Sequence, residues 1–99
     1  MYKNIKMTEL EQAMKSELVH ILDVREIDEF EEGHIPGAIN TPISSFMKFV
    51  SKLDKTIHYY IVCLTGARSQ AVAQYLGNNG YQVSNVLGGM IVYRGVIEE

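Results

Sequence analysis

The chain has 99 residues, 46% of them hydrophobic and 21% charged, with a formal net charge of −3 and a single cysteine. This length supports one domain over residues 1–99, because a half-length unit could not cover a core of its own. The acidic balance disfavours nucleic acid or an anionic membrane as the main partner, and one cysteine excludes both a disulfide framework and a multi-cysteine metal cluster.

Residues 5–7 can form a first short strand. Thr8-Glu9-Leu10-Glu11 then has the form of a capping box, with Thr8 at the N-cap and Glu11 reaching back. Leu10, Ala13, Met14 and Leu18 follow at near-helical spacing. Residues 20–24 read as a strand that ends in charge at Asp23 and Arg25. Residues 28–32 suit one helical turn, stopped by Gly33 and Pro36. A short strand over 38–40 precedes Pro42. Ser44 or Ser45 can cap a helix that carries Phe46, Phe49, Val50 and Leu53 on one side. Residues 57–62, rich in β-branched and aromatic side chains, give the strongest strand. Residues 69–78 are predicted helical, with Gly77 or Gly80 near the end, and residues 82–87 form another strand. Gly88-Gly89 makes a turn before a last helical turn over 90–93. Short apolar strands separated by helices predict an α/β fold, a mostly parallel sheet covered by helices on both faces.

Charge is unevenly distributed. No carboxylate occurs between Lys55 and Ile97, a stretch that holds Lys55, Arg68, Arg94 and Cys63. A cysteine kept clear of negative charge favours a thiolate and an anionic substrate.

Cys63 follows the strong strand directly, and the next helix starts within a few residues, so Cys63-Leu64-Thr65-Gly66-Ala67-Arg68-Ser69 must curl over a helix N-terminus. Gly66 relieves the steric cost of the curl. In open parallel sheets, ligands bind beyond the carboxyl ends of the strands, where Cys63 is placed. A curled loop turns backbone N–H groups inward and makes an anion cradle, which also lowers a thiol pKa. Arg68 is expected to close the loop with a permanently charged fork; its place near a helix start asks for an anion or a carboxylate partner. The chemistry served is thiolate attack on an electrophile with an anionic leaving group.

These residues resemble the rhodanese-like domain, in particular small single-domain sulfurtransferases, over nearly the whole chain. Leu22-Asp23-Val24-Arg25-Glu26 with Glu29-Phe30 is similar to the family's first motif, and the run from Gly33 to Asn40 to its second. Cys63 to Ser69 is similar to its C-x-x-G-x-R-S active loop, and Gly80-Tyr81, Val83, Asn85-Val86 and Gly88-Gly89-Met90 to its closing section. Tyr93 stands where a tryptophan is common, and Leu64 where a polar or basic residue often follows the cysteine.

The resemblance implies a compact three-layer fold and a sulfurtransferase in which Cys63 carries sulfur as a persulfide. It implies that the Leu64, Thr65, Gly66, Ala67 and Ser69 backbone surrounds the sulfur, that Arg68 closes the loop, and that Asp23 and Arg25 form a supporting pair nearby. His34 is structural in that motif. The donor is a small sulfur anion such as thiosulfate, or a persulfide; the acceptor is a thiol or cyanide; a protein donor or acceptor is compatible. No metal or other cofactor is expected, and His20, His34 and His58 are too scattered to suggest one. Two alternatives stand beside this reading. One is a persulfide carrier or regulatory binding module. The other is a small cysteine phosphatase, disfavoured because such enzymes use a loop one residue longer between cysteine and arginine. No apolar run approaches the ~20 residues of a membrane span, and no signal-like core is seen at the N-terminus, so the expected location is the cytoplasm.

Overall fold

Hydrophobic strands that are apolar on both faces must be covered on both, and this requirement sets the architecture. A computed structural model describes residues 2–99. In chain order the elements are β1 (Lys3–Lys6), α1 (Met7–Ser16), β2 (His20–Asp23), α2 (Ile27–Glu32), β3 (Ile39–Asn40), a 3-10 turn (Ile43–Ser45), α3 (Met47–Val50), β4 (His58–Val62), α4 (Ala67–Asn78), β5 (Gln82–Leu87) and α5 (Gly89–Val92). The five strands form one sheet in the order β1-β5-β4-β2-β3, every neighbouring pair parallel. This is the α/β, three-layer arrangement expected, with a sheet that is wholly parallel.

Side chains alternate across the strands, and two cores result. Leu22, Ile61 and Val83 pack on one face with Phe46 and with Val72, Ala73 and Leu76 of α4. Ile21, Val62 and Val86 pack on the other with Met7 and Leu10 of α1 and with Ile35. Each fully buried Leu or Val there contributes about 1.5–3 kcal/mol. Strand β4 lies in the centre, bonded on both sides, and the sheet holds its carboxyl end from β2 and from β5. Among the described residues, no helix is long and apolar enough to cross a membrane.

Several element boundaries differ from expectation. The first strand lies at Lys3–Lys6, earlier than residues 5–7, because Asn4 and Ile5 pair with Asn85 and Val86. Helix α1 starts at Met7, whose buried side chain anchors the first turn; Glu9, rather than Glu11, reaches back, accepting a bond from the Lys6 amide at 3.0 Å. Thr8 is therefore not its cap. Leu18 falls beyond the end of α1 and is 84% exposed. Neither Ser44 nor Ser45 caps a long helix. That segment opens as a 3-10 turn, and the Ser44 hydroxyl donates to Glu26 Oε1 at 2.6 Å. Helix α4 begins at Ala67, two residues before Ser69, because Gly66 already turns the chain.

At the end of β2, Asp23 and Arg25 form a buried ion pair. Arg25 Nη2 lies 2.7 Å from Asp23 Oδ2, and Arg25 Nε donates to Asp23 Oδ1 at 2.9 Å. Arg25 Nη2 also donates to the Gly33 carbonyl at 2.9 Å. The pair thus ties β2 to the turn that follows α2. Removing one partner strands a buried charge, so Asp23→Ala should lower unfolding free energy by about 3–5 kcal/mol. Urea denaturation checks this; a loss under about 1 kcal/mol, the range of an exposed pair, would contradict it.

Candidate active site

The site is built by a reversal of the chain at the end of β4. Gly66 takes φ +100°, a left-handed conformation that side-chain-bearing residues rarely adopt, and a Cβ there would lie 3.2 Å from the Gly88 amide nitrogen. This turn folds residues 64–66 back over Cys63 and starts α4 at once. Two amides point at the sulfur as a result. Gly66 N donates to Cys63 Sγ at 3.0 Å and Ser69 N at 3.3 Å. The Ser69 hydroxyl lies 3.3 Å from the same sulfur.

The loop's outward-facing carbonyls are held as well. At the N-terminus of α5, Met90 N donates to the Cys63 carbonyl at 2.8 Å and Ile91 N to the Leu64 carbonyl at 3.0 Å. Gly89, at φ +54°, is what lets α5 approach: a Cβ there would lie 2.7 Å from the Leu64 carbonyl carbon. With the carbonyls fixed on one side, the loop amides are fixed on the other. The Gly88-Gly89-Met90 segment is therefore part of the site, as a brace for the loop.

Cys63 has no exposed surface, as a packed structural cysteine would. Its polar surroundings separate it from that case. Burial pushes the thiol up. The Ser69 hydroxyl and the Ser69, Gly66 and Thr65 amides outweigh this and hold it below its ordinary value. A small buried hydrophobe gathers no such donors.

The structure pairs Arg68 with a carboxylate. Arg68 Nη1 and Nη2 meet Glu29 Oε1 and Oε2 at 2.8 and 3.0 Å, a bidentate fork across 39 residues of sequence. The carboxylate-free stretch around Cys63 is thus not carboxylate-free in space: α2 brings Glu29 back to it. Arg68 lowers the Glu29 pKa to about 2, against a smaller opposing effect of burial, with help from the Glu26 amide. Of the two partners left open for Arg68, an anion or a carboxylate, the second is the one in place.

The remaining candidates take defined positions. Leu64, Thr65 and Ala67 are exposed on the loop, while Gly66 and Ser69 are buried beneath it. Asp23 and Arg25 sit at the same end of the sheet as Cys63, Asp23 paired in register with Val62. Their donors and acceptors are turned on each other and on backbone. His34 is structural: its ring stacks on Phe30 at 3.7 Å between centroids and its Nδ1 lies 2.9 Å from the Phe30 carbonyl oxygen. His58 Nε2 lies 2.8 Å from the Ser84 hydroxyl, and His20 packs edge-on against Tyr59. Among the described residues, no cluster of three or more His, Cys, Asp or Glu could hold a metal ion. Sequence reasoning did not assign roles to Glu29 or Asn85. The signal for Asn85 was a polar residue between Val83 and Val86 in a strand interior, which needs a partner.

The parallel sheet, the cysteine loop at the end of its central strand and the brace from α5 define one family. The rhodanese-like domain model matches residues 6–94, and the chain belongs to that family. It is 33% identical over 95 residues to the thiosulfate sulfurtransferase GlpE of Coxiella burnetii, covering 95% of this chain and 89% of that protein. It is 39% identical over 83 residues to YrkF of Bacillus subtilis strain 168, provisionally named a sulfur carrier protein. That match covers 83% of this chain and only 45% of YrkF, so this chain spans less than half of that relative's length. In three dimensions it superposes on a rhodanese-like domain protein from Staphylococcus aureus with a TM-score of 0.91 and 37% identity, covering 97% of this chain and 96% of that one. The first of these names gives sulfur transfer, the second sulfur carriage, and the third the domain alone.

The Glu29–Arg68 pair predicts a pH dependence. Its folded-state carboxyl is depressed from 4.5 to about 2, so its stabilisation is full above about pH 4.5 and is lost as pH falls towards 2. With side chains 34% and 30% exposed, solvent screening reduces the effect to about 0.5–1 kcal/mol. Wild type should exceed Glu29→Gln by that margin at neutral pH, and the gap should close in acid. Denaturant melts at both pH values test this; a gap that widens in acid would refute it.

Proposed function

We propose that the protein transfers a sulfane sulfur through a persulfide on Cys63. The observation that carries this reading is the set of amides converging on Cys63 Sγ, because a cradle that stabilises a thiolate also stabilises a persulfide anion and a departing oxyanion. The Cys63 thiolate attacks the outer sulfur of thiosulfate. A new S–S bond forms to Cys63, the old S–S bond breaks, and its electron pair leaves with sulfite. Cyanide or a thiolate then attacks the outer sulfur of the persulfide. Thiocyanate or a new persulfide departs, and the bond electrons return to Cys63 as thiolate. Both steps balance without an oxidant or a metal, and with a preformed thiolate neither needs a general base.

Cys63 and Arg68 are the proposed catalytic pair, the first as nucleophile and the second as the positive charge at the loop end. Leu64, Thr65, Gly66, Ala67 and Ser69 are the proposed binding loop, and Asp23 and Arg25 its support. Since Glu29 occupies both terminal nitrogens of Arg68, Arg68→Ala should lower kcat/KM for thiosulfate by about tenfold or less. A persulfide carrier is the second reading. Exposed Leu64, Ile91 and Val92 cluster where α5 meets the loop, an apolar rim suited to a protein donor or acceptor, and YrkF carries the carrier name.

Mass spectrometry separates these readings. Protein treated with thiosulfate should gain one sulfur, about 32 Da, and lose it to cyanide or a thiol, because the persulfide is a covalent intermediate. Cys63→Ser should abolish the gain and all turnover. Loading without turnover on free donors would favour the carrier. Absence of loading from thiosulfate and from small persulfides alike would overturn both. Phosphomonoester hydrolysis by the wild type would overturn the substrate class.

A further inference from the structure

Asn85 is fully buried in the middle of β5, in register with Ile61 and so on the face that carries α4. A buried amide destabilises the fold unless its donors and acceptors are matched. All three polar directions of Asn85 are committed. Its Oδ1 accepts from the Ser69 hydroxyl. Its Nδ2 donates to Asn4 Oδ1 at 3.1 Å and faces the Gly66 carbonyl at 3.5 Å. A carbonyl only accepts, so turning the amide over would set two oxygens against each other. The Gly66 carbonyl therefore fixes the Asn85 oxygen towards Ser69.

A serine hydroxyl has one proton. While that proton is on the Asn85 side, Ser69 Oγ is left as an acceptor for the Cys63 thiol, 3.3 Å away. A thiolate makes the opposite demand and needs the proton turned towards sulfur. Ser69 can meet one demand at a time. We infer that Asn85 is a positioning residue: by holding the Ser69 hydroxyl proton it retains Cys63 partly as thiol and limits how far the loop favours the thiolate. Such a limit is useful chemically, since thiolate nucleophilicity falls as the thiol becomes more acidic.

Other charges bear on Cys63 as well. Arg68 of α4 favours the thiolate, with Glu29 and Glu26 offsetting it, and the Asp23–Arg25 pair ends the adjacent strand. β5 and α5 carry no charged side chain, Lys6 ends β1, and His58 lies at the far end of β4. None of these contacts is touched by a change at Asn85.

The test is the thiolate ultraviolet absorbance against pH, taken as a difference from Cys63→Ser, which isolates the one cysteine and needs no reagent to reach it. It rests on the amide cradle and not on any sulfur donor, so it stands or falls separately from the transfer reaction. Asn85→Leu keeps the shape and removes the acceptor; it should move the Cys63 midpoint down by about one pH unit, the worth of one hydrogen bond to the charged form. In a Ser69→Ala background the same change should move it by under about 0.3 unit, because the effect runs through that hydroxyl. Should Asn85→Leu not fold, Ser69→Ala alone decides. The midpoint should then rise by no more than about 0.3 unit, since Asn85 withholds most of the hydroxyl's help to the thiolate. A rise of about one unit on Ser69→Ala, or an equal shift from Asn85→Leu with and without the hydroxyl, would overturn the inference.

Discussion

The contact between the Cys63 sulfur and the amides of its own loop is the constraint around which the rest of the molecule is arranged. A chain can aim several N–H groups at one atom only if it reverses tightly, and the reversal needs a left-handed residue at Gly66. It also needs the opposite carbonyls held, which the α5 amides do by way of Met90 and Ile91. The strand before the loop must be immobile, which β4 achieves by pairing on both sides. The helix after it must start at once, and the burial of Val72, Ala73 and Leu76 pins that helix to the sheet. Each condition is met by a different segment, so the site draws on elements far apart in sequence.

Electrostatics around the loop are more balanced than the local sequence implies. Arg68 supplies a positive charge near the sulfur, and Glu29 supplies its counter-charge from α2. The loop therefore depends for thiolate stabilisation chiefly on short-range amide bonds, which are directional and act in a buried site where water does not compete.

Much of this was legible in the sequence, and the reasons are physical. Residues 57–62 and 82–87 read as strands because β-branched and apolar side chains fill them, and each lies on its strand to within one residue. Cys63 could be placed at a strand end because the apolar run stops there and a glycine follows within a loop too short to travel. Local capping signals failed where tertiary contact decided instead. Thr8 has the right spacing to a glutamate, but burial of Met7 moves the N-cap two residues earlier, to Lys6. Ser44 has the right chemistry for a cap, but Glu26 claims its hydroxyl. The partner of Arg68 was not legible because the contact spans 39 residues, and only the packing of α2 brings Glu29 within reach. The bracing role of Gly89 was hidden too: sequence shows a glycine pair, and only the fold shows which backbone it lets approach.

The chemistry of the site requires Cys63 to be an activated thiol within the folded state. The pH midpoint of the Cys63 thiolate absorbance, compared between native and urea-unfolded protein as a difference from Cys63→Ser, measures this directly and needs no reagent to reach the buried sulfur. The native midpoint should lie below that of the unfolded chain. A native midpoint at or above the unfolded one would make Cys63 a packed core residue and remove the basis for its role as nucleophile.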